Sequence, residues 1–444
     1  MENNVLEKQF TGRSLLKFTM PNIIMMVFLS LYNIVDSLFI SRFTGELALS
    51  AFNMFYPVIS LQLAISVMLG TGGSAQILIK MGQGDQKTAR RQFTFLTVVS
   101  FSVGVFMAVV CLFNLDRILT LLGTSASQMI YVRDYAKHLL PFSPMLFLQG
   151  IFQLFFVSAG KARLGLCAMI SGGVANMVLD YLLMGPLGMG IKGAALATGI
   201  SYVIPVTIGL LHFSINRKGA LHFTRFSFDS RFLVRCCSNG SSEMVSNVAN
   251  AVTTFLFNII FMRFWAEVGV AAITILMDFQ FIFSAIFSGF SMGVAPVISY
   301  KYGADDKKQL KKACRFSAVV ILGCSVAMFL ISRQVIGPAL SVFTDRGSPV
   351  YQLAISGFGI YSLQFLFMGF SIFASSMFTA LGNGVVSALI SIFRTFLFLV
   401  LCLLLFPVLW GETGVWWAVP AAELMGLLVS LSFFVWGRKK YGYQ

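Results

Sequence analysis

Charge is scarce in this chain of 444 residues: Asp, Glu, Lys and Arg together make up 11% of it, against roughly 25% in a soluble globular domain. So thin a complement cannot solvate the surface of an ordinary water-soluble fold, which excludes that class. Histidine occurs three times, and His138, His212 and His222 stand far apart. The seven cysteines show no Cys-x-x-Cys and have no His at ligand spacing, so neither a zinc site nor a disulfide scaffold is expected. No metal or other cofactor is implied. Paired acidic motifs are missing as well, since Asp305-Asp306 stand in a run of lysines and nothing resembles a DDxxD cluster. A membrane-embedded prenyl-transferase-type enzyme would need such motifs to hold metal and diphosphate. The chain is therefore read as a non-enzyme.

What is present is apolar: 57% of the residues, with 46 Phe and 22 Met. A crossing of the hydrocarbon core takes about 20 apolar residues. Runs of that kind begin near Leu15, Leu47, Phe93, Val132, Leu164, Gly193, Phe232, Ala271, Ala313, Val350, Val385 and Gly414, twelve in all. The first is long enough to span and lacks a small-residue cleavage site, so an uncleaved signal anchor is expected.

The second half of the chain repeats the first. At an offset of 221 residues Ala64 falls on Ala285, Gly72 on Gly293, Lys80 on Lys301, Gly82 on Gly303 and Asp85 on Asp306 without a gap. Gly193 meets Gly414 at the same offset, and Gly160 meets Gly382 at 222. Six crossings in each copy return the chain to its starting side, so the copies have one orientation and are related by an axis along the membrane normal. The expected architecture is all-α, with residues 1–215 as one six-helix bundle, a polar cytoplasmic connection at 216–230, and residues 231–444 as the second bundle.

Placing both termini in the cytoplasm puts 23 of the 32 Lys and Arg residues on inner loops and ends, eight outside, and Arg394 within a span. This is the inside-positive bias of a multi-pass protein. It also accounts for the formal net charge of +15 as basic loops facing anionic lipid, with no nucleic-acid partner.

Ionisable side chains deep in a span cost at least a few kcal/mol, so each is a functional candidate. Asp36 on the first span and Asp180 on the fifth lie at similar depth in the outer half. Two carboxylates held close together cannot both ionise cheaply, so the pair can take up a proton or a cation. Asn176 precedes Asp180 by one helical turn on the same face, and Gln153 and Thr198 are buried polar residues able to complete the network. In the second half Glu243 and Asp278 lie near mid-membrane, as candidates for a substrate or second cation site. Arg394 and Glu423 share that depth and carry opposite charge, which reads as a structural ion pair, with a cation in the pathway as the alternative. Pro57, Pro141, Pro144, Pro205, Pro296 and the run Gly70-Thr71-Gly72-Gly73 are expected to interrupt spans and to mark internal cavities.

Several stretches resemble the multidrug and toxic compound extrusion family of transporters. They are Leu31-Tyr32-Asn33-Ile34-Val35-Asp36-Ser37, then Gly70-Thr71-Gly72-Gly73-Ser74, then Ser391-Ile392-Phe393-Arg394, and Gly414-Val415-Trp416-Trp417 running on to Glu423. The resemblance implies two six-helix bundles around a V-shaped cavity. It implies export of organic cations or amphipathic toxins driven by inward movement of protons or sodium. In one branch of the family the coupling residues match Asp36, Asn176, Asp180 and Thr198 here, with Gln153 at the remaining polar position. In another branch a sodium site uses a glutamate matching Glu243 and an aspartate on the tenth span. The stretch Gln364 to Phe370 contains no aspartate, which favours proton coupling at Asp36 and Asp180, with sodium as the alternative ion there. A monomer in a bacterial inner membrane is expected. The nearest rival function, a flippase for a lipid-linked precursor, would line the cavity with several basic residues, whereas Arg394 is the one basic side chain at mid-span.

Overall fold

The computed structural model describes residues 5–44 and 46–443. Apolar runs this long fold as helices because only a helix satisfies its own backbone groups in lipid, and every regular element among the described residues is helical. In chain order these are α1 (Gly12–Thr44), α2 (Glu46–Gly82), α3 (Gln86–Phe113), the short α4 (Leu115–Leu121), α5 (Ala126–Leu139), α6 (Ser143–Ser158), α7 (Ala162–Met184) and α8 (Ile191–Ile215). After a connection without regular structure come α9 (Ser230–Gly303), α10 (Lys307–Phe343), α11 (Pro349–Tyr361), α12 (Phe365–Ala380), α13 (Gly384–Ser391) and α14 (Phe398–Tyr441).

Two of these elements fold back on themselves. The 74-residue α9 turns at Ala266 (φ 51°, ψ −141°), and α14 turns at Gly411 (φ 58°, ψ −137°). Conversely, α5 and α6 join through a 3-10 turn at Leu140–Phe142 into one crossing, and α11 and α12 join through another at Ser362–Gln364. The result is twelve crossings in two six-helix bundles, as the sequence leads one to expect.

The duplication is written into the backbone. Gly190, at the turn before α8, has φ 59° and ψ −138°, and Gly411, 221 residues on, repeats those angles within two degrees. Asp85 caps α3 by accepting from the Thr88 N–H at 3.1 Å, and Asp306 caps α10 by accepting from the Gln309 N–H at 3.1 Å. Side-chain caps of this kind satisfy amides that no helical carbonyl reaches.

The bundles meet where α1 and α2 run along α9. A Cβ added to Gly72 would collide with the Cys236 carbonyl, and one on Gly240 with the Met68 carbonyl. Farther along, Gly82 lies against the Tyr300 carbonyl and Gly303 against the Ile79 carbonyl, a pair related by the 221-residue shift. Main chain touches main chain along this seam.

The helix breakers behave differently from expectation. Pro57 and the Gly70 to Gly73 run lie inside the unbroken α2, Pro205 inside α8 and Pro296 inside α9. Glycine here serves close approach rather than interruption: with no Cβ, Gly72 lets α2 settle on α9. Only Pro141 sits at a break, and Pro144 occupies the first turn of α6, where its missing N–H costs nothing.

On the side bearing the chain termini, a 3-10 turn at Val5–Glu7 ties the bundles together. Val5 packs 3.3 Å from the Cβ position of Gly160 in the first bundle. In the second bundle the buried Lys301 donates to the Glu7 carbonyl at 3.1 Å, and Gln309 accepts from the Phe10 N–H at 3.2 Å. Lys80, its counterpart in the first copy, reaches instead to Gln83 at 3.1 Å in an exposed position.

Candidate functional site

Helices α1, α5, α7 and α8 gather the first group of polar side chains. Asp36 is 7% exposed, Thr198 6%, and Asn176 and Asp180 are fully buried. Depth alone would make ionised groups here very costly without partners. The Asp36 and Asp180 carboxyls lie within hydrogen-bonding reach of each other. An ionised carboxylate has only acceptors, so a bond between the two requires a proton on the pair. One buried oxygen on each, Asp36 Oδ1 and Asp180 Oδ1, has no hydrogen-bond partner. Those two atoms are the free acceptor capacity of the site.

Asn176 orders the pair. With its amide nitrogen toward Asp180 it donates to Oδ2 at 2.8 Å, while its oxygen accepts from the Thr198 N–H at 3.2 Å. The one-turn spacing on α7 fixes the first contact and the packing of α7 on α8 fixes the second. Around the carboxyls stand three tyrosines that sequence reasoning passed over: Tyr32, Tyr135 and Tyr202. Tyr135 stands beside the Thr198 side chain. Two of the three were visible in the sequence, since Tyr32 precedes Asp36 by one turn and Tyr202 follows Thr198 by one turn.

Gln153 takes another direction. Its amide donates to Met26 Sδ at 3.4 Å, so its described hydrogen bond leads to the thioether of α1 rather than to the aspartates.

The second bundle holds a charged group at comparable depth. Between α13 and α14 the helix loosens into a π-helix at Ile392–Leu397, and Arg394 from this segment donates to Glu423 Oε2 at 2.7 Å. Their side chains are 14% and 10% exposed. The ion pair anticipated from sequence is therefore made, and Arg394 is also the charged group that acts on Glu243. Glu243 lines a narrow cavity of about 30 Å³ between the bundles, walled by Thr71, Ser74 and Leu154 on one side and by Met292, Pro296 and Thr379 on the other. Asp278 is exposed and is not part of that lining. Among the described residues, no three His, Cys, Asp or Glu side chains gather as metal ligands would.

The sequence matches the MatE family over residues 21–182 and 244–404, one stretch in each bundle. The chain belongs to the MatE family. Across 96% of its length and 94% of the relative's, it is 23% identical to the multidrug export protein MepA of Staphylococcus saprophyticus. A MATE protein crystallised in complex with MaL6 superposes with a TM-score of 0.93 at 22% identity, covering 99% of this chain and 98% of that one. The outward-facing conformation of a multidrug resistance MATE family transporter of the MOP superfamily gives 0.92 at 22% identity, again over 99% and 98%. MatE membership makes this a multi-pass membrane transporter, from a family that includes multidrug exporters, and not an enzyme.

Proposed function

We propose that this MatE protein exports organic cations or amphipathic drugs in exchange for an inward-moving cation, with the proton as the coupling ion and the pair Asp36 and Asp180 as its site. The observation that carries the reading is the pair itself: two buried carboxyls facing each other, each with an unpartnered oxygen. Such a pair binds one proton readily and offers a place for a second. Asn176 holds Asp180 against Thr198, and the tyrosines stand around the two acids. Loading the pair removes charge between α1 and α7, which lets those helices pack differently. Coupling requires that the loaded and empty states prefer different conformations, because a ligand indifferent to the two shifts nothing. Sodium is the alternative ion at the same oxygens.

The reading extends to the whole molecule as a monomer in a bacterial inner membrane, termini inside, with the 216–230 connection on the cytoplasmic face between bundles 1–215 and 231–444. Glu243 is assigned to substrate contact through its place on the cavity wall, whereas Asp278 lies outside that wall and is given no part in it. Purified protein in proteoliposomes tests this with ethidium efflux under a pH gradient or a sodium gradient imposed separately. The expected result is proton-driven efflux that falls at least about tenfold, some 1.4 kcal/mol, in Asp36→Asn. Undiminished efflux in that variant would overturn the assignment. Efflux under neither gradient would favour the lipid-linked precursor instead.

A further inference from the structure

The charged group of the second bundle has a charge count. Glu243 and Glu423 bring two carboxylates, and Arg394 brings one guanidinium that is committed to Glu423 at 2.7 Å. One unit of negative charge is left over, and it falls on the member that faces the cavity, Glu243. The same guanidinium acts on Glu243 from behind, so the cavity presents a single, partly screened negative charge.

The surroundings hold this arrangement in place. The π-helix at Ile392–Leu397 puts Arg394 toward α14, and such one-turn irregularities recur at functional sites. Gly426, one turn beyond Glu423, leaves room for the arginine stem: a Cβ there would stand 3.1 Å from Arg394 Cβ and Cγ. Next to the pair a hydroxyl ladder runs from Ser391 to Ser375 at 3.1 Å and from Ser387 to Thr379 at 2.7 Å. Thr379 itself lines the cavity.

Building on the export reading, we infer that Arg394 sets the valence of the transported cation: by cancelling one of the two glutamates it makes the cavity a monocation site. A monocation neutralises Glu243, a dication is left with one charge unpaired and desolvated, and an anion meets a carboxylate. An unpaired buried charge is among the most costly features a site can acquire.

Ethidium and propidium share one ring system and differ by an added quaternary ammonium, so their efflux ratio from proteoliposomes reads valence directly. Three variants change the count in known steps. Arg394→Gln leaves two negative charges and is expected to raise the propidium-to-ethidium ratio roughly tenfold. Glu423→Gln leaves Arg394 to compensate Glu243 and should lower ethidium efflux by a similar factor. The double variant Arg394→Gln/Glu423→Gln returns the count to one and should restore the wild-type ratio. A double variant that behaves like Arg394→Gln, or single variants that change both dyes alike, would overturn the inference. If Arg394→Gln fails to reach the membrane, Glu423→Gln and the double variant still decide the point. Wild-type protein that moves neither dye would instead count against the export reading.

Discussion

Asn176 stands between Asp180 and Thr198, giving its amide hydrogen to the Asp180 carboxyl at 2.8 Å and taking one from the Thr198 backbone at 3.2 Å. No other side chain is described bridging α7 and α8 so directly at the carboxyl pair. Asn176→Ala leaves a buried carboxyl oxygen without its donor, which costs about 1–3 kcal/mol. The expected outcome is proton-driven ethidium efflux reduced roughly tenfold at normal expression, measured beside wild type in the same vesicles. Activity equal to wild type would show that the bridge is dispensable.

The glycine seam gives a second prediction. Gly72→Val places two methyl groups where the Cys236 carbonyl now lies, so α2 and α9 cannot close on the terminal side. The variant should fold, since it disturbs one contact of an extensive core that both bundles share, but should populate a state opened on that side. Labelling of a cysteine introduced at Ser74, a residue of the cavity wall, checks this from the cytoplasmic side of inverted vesicles. Faster labelling than in the Gly72 protein is expected, together with loss of transport.

The two helix caps test the repeat energetically. Asp85→Ala removes one capping bond, worth about 1 kcal/mol. Asp306→Ala removes the equivalent bond and also the carboxylate 3.6 Å from Lys301, whose side chain is 4% exposed. The second variant should therefore lower the midpoint of thermal inactivation in detergent more than the first. Equal shifts would mean that the carboxylate does nothing for the buried lysine.

Much of this molecule was legible in its sequence, for identifiable reasons. Asp36, Asp180, Arg394 and Glu423 stood out because charge in lipid is rare enough to be noticed one residue at a time, and Asn176 followed from Asp180 by helical spacing. Tyr135 could not be placed, because it arrives from α5, and no spacing along the chain relates it to residues on α1 or α7. Gln153 has the right composition and depth, yet rotation of α6 directs it to Met26, and that rotation is a property of packing. The Gly70 to Gly73 run reads equally well as a broken helix or as a surface for close approach. The partner helix decides between the two, and it lies about 170 residues away in the chain.

The fold-backs at Ala266 and Gly411 bear on how this molecule can move. One residue joins the two arms of α9, so neither arm can slide lengthwise without dragging the other, and the same holds beyond Gly411. These crossings are tongs rather than pistons. Both arms of α9 also press on the first bundle, the first through Gly240 and the second through Gly289 and Gly303. A displacement that starts at either contact is levered through the bend to the other, so the hairpin carries it across the bundle as a tilt.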